Sequence, residues 1–167
     1  MTSQILTRAF FVRIFLLLIA VTSGCSIKQT VKPVDFSGQA MEVCILRNED
    51  VRQGFLDAYT GALTDKNVKV RLLPGTASLN ECATTSTYKA HWAWDLALYM
   101  RYAEIKVYRS AALVGEAVYD ATWGGGRLGK FINAENKIRE LVDELFSTGQ
   151  RAHVSSGASV VAAPAEK

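Results

Sequence analysis

Apolar and polar positions in this chain alternate with two periods, one of about two residues and one of about three and a half. Met41-Glu42-Val43-Cys44-Ile45-Leu46 is a short apolar run with a single charge, which predicts a strand. Asn48, followed by Glu49 and Asp50, supplies a capping side chain and acids for a first helical turn. Val51, Phe55, Leu56, Tyr59 and Leu63 then recur at helical spacing, and Asn67 suits the stop. Val68-Lys69-Val70-Arg71-Leu72 alternates as a half-buried strand does and ends at Pro74-Gly75, before a polar loop from Thr76 to Thr87. Tyr88, Ala90, Trp92, Trp94, Leu96, Leu98, Met100 and Tyr102 share one parity, with Lys89, His91, Asp95 and Arg101 on the other. One strand of that length would be unusual, so a break is expected between Asp95 and Leu98, with a further strand from Tyr99 to Arg109. Ser110 to Ala112 turns the chain, and Leu113 to Ala121 returns as the hairpin partner. Asn133 caps a second helix whose stripe is Ile138, Leu141, Val142, Leu145 and Phe146.

This order, β-α-β-β-β-β-α, predicts an α+β fold: a mostly antiparallel sheet of about five strands with two helices packed on one face. A right-handed crossover places the first two strands side by side in parallel. The globular domain is expected over 40–146. Residues 147–167 are small and polar, lack aromatics and read as a disordered tail.

The start of the chain has a different logic. Met1 to Arg13 is basic and acid-free, Ile14 to Val21 is apolar, and Thr22-Ser23-Gly24 precede Cys25. That is the layout of a secretory signal peptide over 1–24, and the apolar run falls short of the roughly 20 residues a spanning helix needs. Small residues directly before a cysteine resemble the lipobox of bacterial lipoproteins, although Thr22 stands where that box prefers an aliphatic residue. The resemblance implies a mature chain beginning at Cys25, anchored in the lipid bilayer through acyl chains, palmitate among them, on that residue. Ser26, in place of an Asp, implies an outer-membrane destination facing the periplasm. Residues 25–39 then form the lipidated terminus and a tether, whose flexible part would reach about 20 Å.

Charge adds little once the leader is set aside, because removing Arg8 and Arg13 lowers the formal net charge from +3 to +1. No nucleic-acid partner is expected on that balance. Cys25, Cys44 and Cys82 are the three cysteines, and lipidation of Cys25 leaves a pair. A Cys44–Cys82 disulfide closes a loop of about 40 residues, worth about 4 kcal/mol in the chain-entropy model. The alternative is that Cys44 is a buried strand residue. No metal is expected, since there is no C-x-x-C and His91 and His153 lack ligand-spaced partners.

Motifs for catalysis are weak. Gly124-x4-Gly129-Lys130 satisfies part of a phosphate-binding loop, but Phe131 stands where a Ser or Thr ligates Mg²⁺. No nucleotide or other cofactor is therefore expected, and Gly124 to Gly126 reads as a tight connection from sheet to helix. His91 has no nucleophile in a recognisable setting and reads as a solvated residue of the polar face. Asp95, Glu104, Glu116 and Asp120 read as the charged half of a two-sided sheet, with Lys89, Arg101, Lys106 and Arg109. Trp92 and Trp94 share the aliphatic parity and read as core. Tyr99 and Trp123 are the candidates for an exposed aromatic contact with a protein or an amphiphile.

From Tyr119-Asp120-Ala121-Thr122-Trp123-Gly124-Gly125-Gly126, and from Asn133 to Phe146, the chain resembles a small proteobacterial lipoprotein family of unknown function. The likeness spans roughly Tyr88 to Phe146 and transfers no catalytic residue. In element order it is similar to small α+β lipoproteins that assist outer-membrane machines. These are the lipopolysaccharide-assembly lipoprotein, penicillin-binding-protein activators and the amino-terminal domain of the curli secretion lipoprotein. The expectation is a non-enzymatic, membrane-anchored envelope module that binds an envelope protein or amphiphile. The alternatives are a periplasmic small-ligand binder, with a pocket between helices and sheet lined by Trp92, Trp94 or Phe55, and an envelope hydrolase using Asp95 or Glu104.

Overall fold

A computed structural model of the chain describes residues 27–35, 42–123 and 128–147. The expected signal peptide, Cys25, Gly124 to Gly126, His153 and all but the first residue of the expected tail lie outside the described residues. In chain order the strands and helices are β1 (Lys28–Lys32), β2 (Glu42–Leu46), α1 (Gln53–Asp65), β3 (Lys69–Leu73), β4 (Thr84–Asp95), β5 (Ala97–Arg109), β6 (Ala112–Asp120) and α2 (Ala134–Leu145). A short 3-10 turn, Leu128–Lys130, precedes α2. The fold is α+β, as the patterning predicts, with six strands in the order β1-β6-β5-β4-β2-β3. β2 runs parallel to β3 and β4, and the remaining pairs are antiparallel.

One face of the sheet carries both helices. Ile45 and Val43 of β2, Tyr88 and Ala90 of β4, Ala103, Ile105 and Val107 of β5, and Ala117 and Tyr119 of β6 point into this core. Phe55, Tyr59 and Leu63 meet them from α1, and Ile138, Leu141, Val142 and Leu145 meet them from α2. Phe55 stacks on Tyr88 at 5.3 Å, and the Tyr59 hydroxyl bonds Ser86 Oγ at 2.7 Å. Ser86 Oγ donates onward to the Lys106 carbonyl, so a phenol buried in an apolar layer still finds a partner. Burial pushes the Tyr59 pKa well above the ordinary phenol value.

Four sequence expectations need correction. Asn48 does not cap α1: its side chain accepts from the Asp50 amide and donates to the Tyr88 carbonyl. That makes a turn, and the helix starts later, after Arg52, with no side-chain cap. Thr84 to Thr87, expected in a loop, already pair with β5. Trp94 is not core but 74% exposed. A bulge at His91/Trp92 breaks the period-two pattern that placed it inside.

The fourth correction has the largest consequence. Lys28–Lys32, expected in the tether, is an edge strand that pairs with β6 from Lys28↔Asp120 to Lys32↔Glu116. Gln29 Nε2 donates to Glu140 at 3.0 Å and to Glu144 at 3.1 Å on α2. The Val34 amide donates to the Leu145 carbonyl at 2.8 Å, and the Val34 side chain is buried. An edge strand with KQTVK exposes nearly every side chain, so it shows no alternation for pattern reading to find. Gly115 makes room for this docking: a Cβ there would lie 2.2 Å from Val34 Cγ2 and 3.1 Å from Leu145 Cδ1.

Cys44 and Cys82 form a disulfide, with Cα atoms 6.2 Å apart. Val43 and Ile45 face the helices, so Cys44 faces the other way, and the loop before β4 covers it there. No helix among the described residues is long and apolar enough to cross a membrane.

Gly115→Ala should lower the free energy of unfolding by about 1–3 kcal/mol, because the methyl overpacks a site closed by branched side chains. An unchanged urea midpoint would contradict the close approach of Val34. Reduction of Cys44–Cys82, or Cys82→Ser, should cost about 2–4 kcal/mol, read as a lower thermal midpoint by circular dichroism.

Candidate functional site

The sheet presents two features to solvent, a charged outer face and an apolar hairpin apex. The outer face is built by strand alternation. Tyr102, Glu104 and Lys106 of β5 point away from the helices, opposite His91 and Lys89 of β4 and Glu116 and Asp120 of β6. Lys106 Nζ lies 3.1 Å from Glu104 and 3.3 Å from Glu116. The Tyr102 hydroxyl donates to Glu104 at 2.9 Å, and the His91 ring stacks on Tyr102 at 5.8 Å. The Glu104 side chain is only 12% exposed, although it sits on the open face. Partial burial alone would raise its pKa. Hydrogen bonds from Lys106 and Tyr102, with the charges of Lys106 and Lys89, outweigh that and hold it below the usual carboxylate range. Tyr102 is pushed up to about 12, by desolvation first and then by its bond to Glu104.

A carboxyl held ionised by two donors is the reverse of a general acid, whose pKa must rise towards neutrality. Asp95, the other carboxylate considered for hydrolysis, is ion-paired to Lys130. Glu116, which shares Lys106 with Glu104, is likewise engaged by that lysine. Among the described residues no group of three or more His, Cys, Asp or Glu could hold a metal ion.

The second feature is the β4–β5 apex. Trp94 pairs with Leu98 and Asp95 with Ala97, leaving Leu96 alone at the turn. Leu96 is 85% exposed and has a φ of 62°, while Leu98 is also open to solvent. The left-handed region costs a branched residue about 1–2 kcal/mol, so a leucine here is unfavourable in backbone and in hydration alike. Lys130, 4% exposed, ties the hairpin down by pairing with Asp95 and lying 5.3 Å from the Tyr99 ring. Tyr99 meets Phe131 edge-on at 5.6 Å.

The two expected contact aromatics therefore separate. Tyr99 is half-buried in the clamp between the hairpin and the segment that leads into α2, whereas Trp123 is 71% exposed. The Ala121 amide donates to the Arg101 carbonyl, and Thr122 N donates to Asp120 Oδ1, so Trp123 follows the point where the chain leaves the sheet beside Arg101, just past the end of β6. Of the pocket residues proposed from sequence, Phe55 is in the core, Trp92 lies under Arg52 at 5.5 Å, and Trp94 faces solvent. A groove of about 640 Å³ does exist, but it runs outside α2, along Val31, Pro33, Arg139 and Glu144. Sequence reasoning missed Lys130 as a clamp and Leu96 as an apex. The tight run from Asp95 to Leu98 marked the turn but not its exposure.

Glu104 generates a pH dependence with a definite sign. Its folded pKa is depressed, so its stabilisation is complete above the unfolded carboxylate pKa and is lost as pH falls through the folded one. Stability of the parent chain should therefore fall more steeply than that of Glu104→Gln between about pH 5 and pH 3. Denaturant titrations at several pH values measure both slopes, and parallel curves would contradict the assigned network.

No protein-family model matches the chain, and no curated protein matches it by sequence. Among solved structures, its fold is similar to that of the PelC dodecamer from Paraburkholderia phytofirmans. Sequence identity is 14% and the TM-score 0.49, over 73% of this chain and 99% of that one. A point variant of that dodecamer in another crystal form gives 13% identity and a TM-score of 0.47, over 75% of this chain and 98% of that one. The likeness is one of fold alone.

Proposed function

We propose that the chain is a lipid-anchored module of the bacterial cell envelope, held by acyl chains on Cys25 and working by binding rather than catalysis. One observation carries the reading: a basic start, a short apolar run and Thr22-Ser23-Gly24-Cys25 lead directly into a folded domain. The Cys44–Cys82 disulfide supports it, because such bonds persist outside the reducing cytosol. The carboxylate chemistry agrees with a binding role, since Asp95 and Glu104 are both engaged by lysines. Ser26 after the cysteine favours the outer membrane, with the domain facing the periplasm. Its partner on this reading is an envelope protein or an amphiphile, met at the sheet's open face or apex.

Intact mass of the membrane-extracted chain tests the anchor. A mass beginning at Cys25 and heavier by acyl groups is expected, and Cys25→Ser should move the protein from the membrane to the soluble fraction. A chain cut elsewhere and free of lipid would overturn the reading.

A further inference from the structure

The strand register says which end of the domain carries the anchor. Lys28 opens β1 and pairs with Asp120, which closes β6, and Asp120 pairs with Tyr102 of β5. Going back along β5 from Tyr102, the chain runs to the apex at Leu96. The start of β1, the end of β6 and the β4–β5 apex therefore all lie at one end of the sheet. Only Ser26 and Ile27 separate Cys25 from Lys28, so Cys25 lies within about 10 Å of Lys28, whatever path those residues take. From the level of Lys28, the hairpin projects a further 15–20 Å or so, at about 3.3 Å per residue.

We propose that the β4–β5 apex inserts into the same bilayer leaflet that holds the acyl chains of Cys25, so that the domain touches the membrane at two points. The inference rests on the anchor reading above. With a cysteine anchored at headgroup level within about 10 Å of Lys28 and the strands standing across the surface, the apex, which reaches further along the same direction, enters the leaflet. The chemistry of the apex fits that position. From Ala93 to Leu98 the one charged residue is Asp95, and Lys130 neutralises it. Leu96 and Leu98 are apolar and exposed, and Trp94 and Trp123 are large amphipathic rings suited to the headgroup layer. The left-handed backbone at Leu96 fits the same role, since Gly or Asn would make that turn more easily and Leu adds only an apolar point. A second copy of the chain is a poorer occupant. A stable protein interface needs about 800 Å² from each partner, more than a narrow apex of three large side chains offers.

The test uses the full acylated chain in phosphatidylethanolamine–phosphatidylglycerol vesicles whose acyl chains carry bromine, a contact quencher of indole emission. Intact mass first confirms acylation, which separates the anchor from the apex. With Trp123→Phe as the common background, bromine should quench the chain that keeps Trp94 at least about twofold more than the same chain carrying Trp94→Phe or Leu96→Ser/Leu98→Ser, because the Trp94 indole sits at the interface. These substitutions are at exposed positions, and an unchanged melting temperature shows that the domain is intact. Acylated protein that is not quenched, or is quenched equally in all three chains, overturns the apex proposal and leaves the anchor standing. Absence of acylation overturns both. Detergent-solubilised parent chain that self-associates, with Leu96→Ser/Leu98→Ser remaining monomeric, would assign the apex to a second copy and overturn the membrane contact.

Discussion

The antiparallel ladder between β4 and β5 is the interaction on which the other features depend. It runs from Thr84↔Arg109 to Asp95↔Ala97, with one bulge at His91/Trp92. Its inward residues, among them Tyr88, Ala90, Ala103 and Ile105, form the floor on which both helices pack. Its outward residues hold Tyr102, Glu104 and Lys106 in register with neighbours of complementary charge. Its closed end becomes the apolar apex. Beyond Tyr102, where β6 no longer pairs with β5, the hairpin is held by the ladder between its own two strands, and the outward half of its backbone groups faces solvent. The bulge turns the outer part of the hairpin, which moves Trp94 out of the core while Met100 stays in.

The outer face illustrates why charge on a sheet is not in itself a site. Lys89 faces Glu104, Lys106 faces Glu116, and Glu116 faces Lys32, so opposite charges meet across four strands. Exposed pairs of this kind each contribute little. Glu104 is the exception because it is nearly covered, and its donors have to offset the loss of water. The same arrangement removes it from acid–base work. Lys130 and Asp95 repeat the principle in a different place, where an ion pair joins the hairpin to the segment that leads into α2.

β1 changes the mechanical picture of the amino terminus. A flexible tether would let the domain stand off from whatever holds Cys25. With Lys28–Lys32 stitched to β6, and with Val34 locked over Gly115, the domain begins almost at the cysteine. Trp123 and the β4–β5 apex lie at the same end of the sheet as the start of β1.

The amphipathic elements could be read from the chain because their periodicity is local. α2 shows its stripe and its Asn133 cap, which accepts from the Asn136 amide as expected, and the alternation survives folding in β6 and in β5 from Ala103 on, whereas Leu72 of β3 is 49% exposed despite its apolar parity. The parallel pairing of β2 with β3 followed from the handedness of the crossover. The cysteine pair is likewise written in composition, although only proximity in space joined Cys44 to Cys82. Tertiary structure decided what local pattern cannot hold. An edge strand such as KQTVK has no buried face to mark it, so only its partner β6 reveals it. A bulge shifts parity without any signature in residue type, so Trp94 read as core. Lys130 looks like half of a phosphate motif until Asp95 is brought to it from 35 positions away. The sequence determines which residues are apolar, charged or reactive; pairing and register decide which of them meet each other and which meet the outside.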